Sequence, residues 1–216
     1  MLIVFDLDGT LIDSRRDLAD SANQLITERG GKPLDLDDIT RMVGGGAAQL
    51  VQSALEASGL ESTEDGLWRF LEIYDTRMLS TTRAYPGIPQ ALAQLSGHAR
   101  AVLTNKPQRP AEWILTMLGL RHHFVEIVGG DGPHARKPDP QGLAYLMATH
   151  GASADETVLV GDSPIDVETA RRAGTRCCVV SYGFGFAAFE EEGLGQTVPV
   201  AANIGQLINA IETLEG

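Results

Sequence analysis

Two aspartates near the start of the chain, Asp6 and Asp8, have the type and spacing for chemistry on a phosphate. They follow the apolar run Leu2–Phe5, which reads as a buried strand, so both carboxylates would lie at its carboxyl end. One carboxylate can attack an electrophile while the other transfers a proton. Two carboxylates this close repel each other unless a cation lies nearby, and Mg²⁺ prefers oxygen ligands. Asp8-Gly9 is equally compatible with an ordinary turn that ends a strand.

Two further polar clusters contain a lysine each. The first, Thr104–Lys106, directly follows an apolar run and offers a hydroxyl and an amide to phosphate oxygens, although a plain loop fits it as well. The second, Arg136–Pro140, contains Lys137, whose ammonium could face a phosphate or a carboxylate, although a solvated surface lysine is the common alternative. Within it, Asp139 reads as a helix N-cap with Pro140 at the first helical position.

The last cluster, Gly161–Asp166, follows an apolar run and contains two more carboxylates. Asp162 falls at a strand end, where a carboxylate suits metal ligation. Ser163 reads as a helix N-cap, and Asp166 stands three residues later in the capping-box position. A structural role for Asp166 is therefore as well supported as a metal-related one. Both roles are compatible if Asp166 acts from behind the residues that hold the metal.

The apolar pattern divides the chain into an α/β core and a helical insert. A first strand is followed by helical periodicity to about residue 80, and then by alternating strands and helices. This alternation predicts a doubly wound, Rossmann-like parallel sheet, which binds ligands at the carboxyl ends of its strands. We therefore expect a core of residues 1–13 and 83–216 and an all-helical cap domain of residues 14–82. The later candidate strands are Ala99–Leu103, Val125–Val128, Thr157–Val160, Cys177–Val180 and Val198–Ala201. The later candidate helices are Ile88–Leu95, Pro110–Leu118, Pro140–His150, Pro164–Ala173 and Ile204–Leu214.

Composition narrows the range of partners. The 216 residues carry a formal net charge of -12, which argues against nucleic acid as a partner. The two cysteines, Cys177 and Cys178, are adjacent in an apolar run, and we expect free buried thiols, as in a reducing compartment. We expect neither a signal peptide nor a membrane span, and hence a cytoplasmic protein.

The four clusters, in this order, resemble those of the haloacid dehalogenase superfamily of phosphatases. The likeness covers nearly the whole chain, with DLDGT at 6–10, a helical cap, TNK at 104–106, RKPDP at 136–140 and GDSPID at 161–166. The sequence is closest in appearance to the phosphoglycolate phosphatases, which have similar VGGG, YPG and GGD segments at 43–46, 85–87 and 129–131. The pair at 164–165 departs from the more polar pair of many relatives.

The resemblance implies a role for each matching residue. Asp6 would be the nucleophile and a Mg²⁺ ligand. Asp8 would act as general acid and then as general base, with its main-chain carbonyl on the metal. Asp162 would be the third ligand, with Asp166 behind it. Three other side chains would hold the phosphoryl group or shape its site: Thr104, Asn105 and Lys137.

The implied reaction is hydrolysis of a small phosphate monoester through an aspartyl-phosphate. The expected substrate is 2-phosphoglycolate or a comparably small ester bearing a carboxylate, and a phosphatase of other small esters is an alternative. Dehalogenases of the superfamily lack the second aspartate of the Asp6-x-Asp8 pair. Sugar-phosphate mutases keep both, and they differ from hydrolases in water access, which a sequence does not show. A non-catalytic phosphate-binding α/β protein would have no need of both carboxylates.

Selection of the ester must come from the cap, because the core residues bind only phosphate. The segment Arg41–Gly46 stands out, because Gly44, Gly45 and Gly46 expose backbone N–H groups to an anion. Gly46 also precedes a helix whose N-terminus favours negative charge, and Arg41 could grip a substrate carboxylate. The alternative is a flexible hinge with Arg41 in solvent.

Overall fold

A parallel sheet forms the centre of the computed structural model, which describes residues 1–194 and 198–215. The strands in these residues are β1 (Leu2–Phe5), β2 (Ile12–Asp13), β3 (Arg83–Ala84), β4 (Ala99–Leu103), β5 (Glu126–Val128), β6 (Thr157–Gly161), β7 (Arg176–Val180) and β8 (Val200–Ala201). Six of them form the sheet, in the order β5-β4-β1-β6-β7-β8 with every pair parallel. The two central strands, β1 and β6, are buried at every residue.

Helices cover both faces of the sheet. The α-helices in the same ranges are α1 (Arg15–Glu28), α2 (Leu36–Arg41), α3 (Ala47–Ala57), α4 (Glu64–Arg77), α5 (Ile88–Gln94), α6 (Gln108–Met117), α7 (Gln141–His150), α8 (Pro164–Ala173), α9 (Phe186–Glu191) and α10 (Ile204–Glu215). In β1, Ile3 and Phe5 join an apolar cluster with α5, α6 and α10, whereas Leu2 and Val4 join a cluster with α7, α8 and α9. Alternate side chains of a strand point to opposite faces, which is why a continuous apolar run forms a strand buried on both sides.

The doubly wound α/β core is as the sequence predicts. The five later strands and the five later helices expected from the sequence lie within two residues of the expected limits, whereas α9 (Phe186–Glu191) was not expected. Cys177 and Cys178 are buried free thiols on β7, also as expected. The start of α7 differs, because Pro140 precedes the helix rather than beginning it. Asp139 accepts a hydrogen bond from the N–H of Gln141 at 2.9 Å, so it forms a local turn before the helix instead of capping it.

The helical segment (residues 14–82) lies between two very short strands. β2 and β3 pair antiparallel, with Ile12 opposite Ala84 and Asp13 opposite Arg83. Four helices, α1 to α4, occupy the segment and pack on one another. The sequence gave no sign of this ribbon, because two residues are too few to show a periodicity. The ribbon adjoins the expected boundaries at 13/14 and 82/83, and the division into a core and a cap domain remains a proposal.

A buried carboxylate ties the two ends of the helical segment together. Asp17 of α1 accepts hydrogen bonds from the N–H and hydroxyl groups of Thr81 and Thr82, at 2.7–3.0 Å. Burial alone would raise the pKa of Asp17, but the hydrogen bonds from both threonines outweigh it and hold the pKa below its usual value. The ionised carboxylate therefore stabilises the junction where the chain re-enters the core.

We predict that Asp17→Asn lowers the free energy of unfolding by about 1–3 kcal/mol at pH 7, because one amide oxygen cannot satisfy the four donors. The pKa of Asp17 is lower in the folded state than in the unfolded state, so its contribution is present above the unfolded value and is lost as pH falls through the folded value. Urea denaturation at pH 7 and near pH 3 measures the difference. Asp20→Asn, at a half-exposed position of α1, is the control. Equal stability of Asp17→Asn and wild type at pH 7 would contradict the prediction.

Candidate active site

Three carboxylates converge at the carboxyl ends of the two central strands. Asp6 follows β1, Asp162 follows β6, and Asp166 lies in the first turn of α8. One oxygen of each lies within 4.8 Å of the others. Adjacent parallel strands bring their carboxyl ends to the same edge of a sheet, which places residues 156 positions apart side by side.

Lys137 lies between two of these carboxylates. Its Nζ is 2.8 Å from Oδ1 of Asp6 and 2.6 Å from Oδ1 of Asp166, and its side chain is buried. The other oxygen of Asp166 accepts hydrogen bonds from the hydroxyl of Ser163 at 2.7 Å and from its N–H at 3.2 Å. Asp166 thus completes the capping box of α8 and pairs with Lys137 at the same time.

Glycines allow two loops to close on Asp162. Its Oδ2 accepts a hydrogen bond from the N–H of Gly185 at 2.7 Å. A Cβ atom at Gly9, where φ is +91°, would lie 2.0 Å from the same oxygen, and one at Gly183 would lie 2.4 Å from it. The loops after β1 and after β7 can therefore approach Asp162 only without side chains at these positions. Sequence analysis missed the loop after β7, because its proximity arises only in the folded chain.

The carboxylates lack sufficient compensating charge. Burial raises the pKa of Asp6 to about 7, against the lowering effect of Lys137. Burial also raises the pKa of Asp162 well above its usual value, and the charges of Asp166 and Asp6 add to this. The pKa of Lys137 is itself raised, because the two carboxylates outweigh the effect of burial. One ammonium among three carboxylates leaves net negative charge, and this set of hard oxygen donors suits a divalent cation such as Mg²⁺.

Asp8 forms an ion pair with a second buried lysine, Lys106. Lys106 Nζ lies 3.1 and 3.2 Å from the two carboxylate oxygens of Asp8, and Ser14 donates a hydrogen bond of 2.5 Å to one of them. The same Nζ lies 4.7 Å from the ring centre of Tyr74, on α4 of the helical segment. Sequence analysis quoted Lys106 within its motif without assigning it a role. The only sequence feature that pointed to a role for Lys106 was its position just after the end of a strand.

Two predicted phosphate-site residues lie beside this pair. Thr104 and Asn105 are both buried. The amide of Asn105 donates hydrogen bonds to the carbonyl oxygens of Gly44 and Lys137, both at 2.9 Å. The hydroxyl of Thr104 accepts a hydrogen bond from the N–H of Lys106 at 3.2 Å. Asn105 therefore links the helical segment to the loop that carries Lys137.

A cavity of about 50 Å³ lies between the sheet edge and the helical segment. Its polar wall includes Asp6, Asp8 and Lys106, together with Thr104 and Asn105. The helical segment supplies a mainly apolar wall, which consists of Leu18, Val43, Ala47, Leu50, Phe70, Leu71 and Tyr74. The two carboxylates singled out for catalysis thus open into the same cavity.

Only two of the four cap residues expected to select the substrate line this cavity. Gly44 and Gly46 line it, whereas Gly45 does not. Gly46 caps α3 with φ +92°, and a Cβ there would lie 3.1 Å from the carbonyl oxygen of Asn105. Arg41 also lies outside the cavity, where its half-exposed side chain pairs with Asp38. The structure therefore brings two of the glycines to the site and leaves Arg41 at the surface.

A doubly wound sheet with these carboxylates and lysines at its carboxyl edge defines a haloacid dehalogenase-like enzyme core. The family model described as haloacid dehalogenase-like hydrolase matches residues 3–180, and the chain belongs to this family. The resemblance noted in the sequence is thereby confirmed, and the chain is an enzyme of the hydrolase class.

Several similar proteins are named phosphoglycolate phosphatases, which is more specific than the family description. A phosphoglycolate phosphatase of Rhodospirillum rubrum is 42% identical over 192 residues, which are 84% of this chain and 80% of the relative. Phosphoglycolate phosphatase 1 of Pseudomonas aeruginosa is 38% identical over 192 residues, which are 85% of this chain and 70% of that protein. A crystal structure of "a predicted phosphoglycolate phosphatase" from Haemophilus somnus superimposes with a TM-score of 0.88 at 30% identity, covering 96% of each chain. Among the described residues, no helix is both long and apolar enough to cross a membrane.

Proposed function

We propose that the chain is a Mg²⁺-dependent phosphatase that hydrolyses 2-phosphoglycolate through an aspartyl-phosphate on Asp6. The observation that carries this proposal is the opening of Asp6 and Asp8 into one cavity, each paired with a different buried lysine. A nucleophile and a proton donor must act on the same phosphorus–oxygen bond, so they must share one space. The names of the similar proteins support the choice of substrate.

The proposed reaction has two steps. In the first, a carboxylate oxygen of Asp6 forms a bond to phosphorus, the ester bond breaks, and protonated Asp8 gives its proton to the departing oxygen. In the second, Asp8 removes a proton from water, whose oxygen attacks phosphorus and releases phosphate from Asp6. One residue thus serves as acid and then as base on the same face of the intermediate.

The phosphoryl group would be held by two buried side chains, Lys137 beside Asp6 and Thr104 of the cavity wall. Lys137 would balance the charge of its oxygens while fixing the carboxylate of Asp6, and the hydroxyl of Thr104 would donate a hydrogen bond to it. Asn105 would act indirectly, because its amide holds the carbonyl groups of Lys137 and Gly44. These roles agree with the burial of all three side chains and with the contact of Lys137 with Asp6.

The proposed metal ligands are the carboxylates of Asp6 and Asp162 and the main-chain carbonyl of Asp8. The raised pKa values of the two carboxyl groups support a cation there, because both groups are buried with too little positive charge around them. A bound Mg²⁺ would offset the charge of the phosphoryl oxygens. Asp166 would stay behind the ligands, holding Lys137 and the start of α8.

The apolar lining of the cavity favours a small ester over a sugar phosphate. The apolar wall would meet a sugar ring with Leu50, Phe70 and Leu71, which offer no hydrogen-bonding group to its hydroxyls. A sugar-phosphate mutase would therefore need a more polar space than this one.

We predict that wild-type protein releases phosphate from 2-phosphoglycolate with a higher kcat/KM than from ethyl phosphate, p-nitrophenyl phosphate or glucose 6-phosphate. A second prediction concerns the nucleophile. Asp6→Asn should reduce turnover of phosphoglycolate to below about one per cent of the wild-type rate, because an amide is nearly isosteric with a carboxylate but cannot attack phosphorus. Circular dichroism checks that the variant is folded, and Asp20→Asn is the matched control. Turnover by Asp6→Asn above a few per cent would exclude the covalent mechanism. If ethyl phosphate is as good as phosphoglycolate, the substrate assignment fails and only the phosphatase class survives.

Removal of divalent metal should abolish phosphate release, and Mg²⁺ should restore it. We expect Mg²⁺ to raise the Tm of the wild type more at pH 8 than at pH 6, because the pKa of Asp6 is about 7 without metal and protons compete with the ion below that pH. Asp162→Ala should lose most of the Tm increase and at least about 100-fold in rate. Ca²⁺ should inhibit, since its looser coordination would misplace Asp6. Full activity after exhaustive chelation is the contradicting result.

A further inference from the structure

One charged side chain of the cavity, Lys106, has no role in the proposed reaction steps. Lys106 is the one cationic side chain among the described residues that line the cavity. Its side chain is only 4% exposed, and its Nζ contacts the carboxylate of Asp8. Burying an ammonium is costly unless it is paired, so a lysine at this position needs an anionic partner in every state of the cycle.

Lys106 is held in place by its own loop in the α/β core and by a ring of the helical segment. The residue directly follows the strand-end residues Thr104 and Asn105, in the loop between β4 and α6. Its Nζ lies over the ring of Tyr74, at 4.7 Å from the ring centre, and this ring belongs to α4 of the helical segment. The ammonium is thereby fixed at the junction of the polar and apolar walls. An ammonium has three donors, so one carboxylate leaves it capacity for a second anion.

We propose that Lys106 binds the carboxylate of the substrate and thereby selects phosphate esters with a carboxylate one carbon from the ester oxygen. This inference rests on the proposed function and adds the group that recognises the leaving half of the substrate. It assigns to a core loop the selectivity that sequence analysis sought in the cap at Arg41.

The positions of Asp8 and Lys106 support this assignment. Asp8 must reach the ester oxygen to protonate it, so that oxygen lies within hydrogen-bonding distance of Asp8. Lys106 Nζ lies within 3.2 Å of both carboxylate oxygens of Asp8, and so it is close to the same point. In phosphoglycolate a single methylene separates the ester oxygen from the carboxylate, which brings that carboxylate within reach of the ammonium. A longer ester would carry its anion past Lys106, and the described residues lining the cavity offer it no other cationic side chain.

A neutral leaving group would use this site poorly. It would occupy the space around Lys106 without pairing with the donor that Asp8 does not use, and a buried donor left unpaired costs binding energy. A carboxylate at the same place pairs with the ammonium in a dry environment, where charge-assisted hydrogen bonds are strong. The preference should therefore appear mainly in KM for the carboxylate-bearing ester.

The test compares 2-phosphoglycolate with 2-hydroxyethyl phosphate, which has nearly the same length and a neutral hydroxymethyl group in place of the carboxylate. We expect Lys106→Met to reduce the ratio of their kcat/KM values by at least about tenfold, with most of the change in KM for phosphoglycolate. Lys106→Gln, which keeps a donor for Asp8, should reduce the ratio similarly. Lys32→Met, at an exposed position, is the matched control and should leave the ratio unchanged.

An unchanged ratio in both folded variants, with equal losses on the two esters, would overturn the proposal and show that Lys106 only positions Asp8. If neither variant folds, product inhibition of the wild type decides: glycolate should inhibit at a concentration at least about tenfold lower than ethylene glycol, and equal inhibition would overturn the proposal. A wild type without preference for phosphoglycolate would instead refute the substrate of the proposed function. A wild-type preference that survives in the variants would refute the role of Lys106 alone.

Discussion

The buried pairing of Lys137 with Asp6 and Asp166 is the interaction on which the site depends. It joins the end of β1, the loop before α7 and the first turn of α8 through one ammonium. Removing such charges from water costs several kcal/mol per ion, and only pairing and further hydrogen bonds offset that cost. The capping box of α8 supplies some of these hydrogen bonds, because it holds the second oxygen of Asp166. The same pairing that completes the fold at this edge therefore fixes the orientation of the carboxylate proposed to attack phosphorus.

The site contains a second ion pair, between Lys106 and Asp8, that is separate from the first. Lys137 lies on the side of Asp6, and Lys106 lies on the side of Asp8. In our account Lys137, beside Asp6, serves the phosphoryl group and Lys106 serves the leaving group, so the site has one ammonium for each half of the substrate. The helical segment takes part through Tyr74 and through Gly44, which accepts a hydrogen bond from the core. In our account the loop after β4 therefore both contacts the helical segment and recognises the ester.

Much of the fold could be predicted because β1 and β6 are buried on both faces and appear as plain apolar runs. Asp6 and Asp162 could be found for the same reason, since each directly follows such a run, and the capping-box spacing already indicated the contact of Asp166 with Ser163 but not its pairing with Lys137. The ribbon of β2 and β3 is too short to leave a pattern. Lys106 could not be distinguished from a surface lysine, because its pairing with Asp8 joins residues 98 positions apart. Arg41 seemed suitable by its nearness to the glycines, but its pairing with Asp38 keeps it at the surface.

The central claim is that the carboxylate of Asp6 carries the phosphoryl group during turnover. The most direct measurement is an acid quench of wild-type protein within the first turnover of 2-phosphoglycolate, followed by mass spectrometry of the peptide that contains residues 1–15. Our account predicts one added phosphoryl mass on this peptide, localised to Asp6, which is absent from Asp6→Asn and disappears as phosphate is released. Its absence in a quench series that resolves the first turnover, with phosphate formed normally, would contradict the account and indicate direct attack by water.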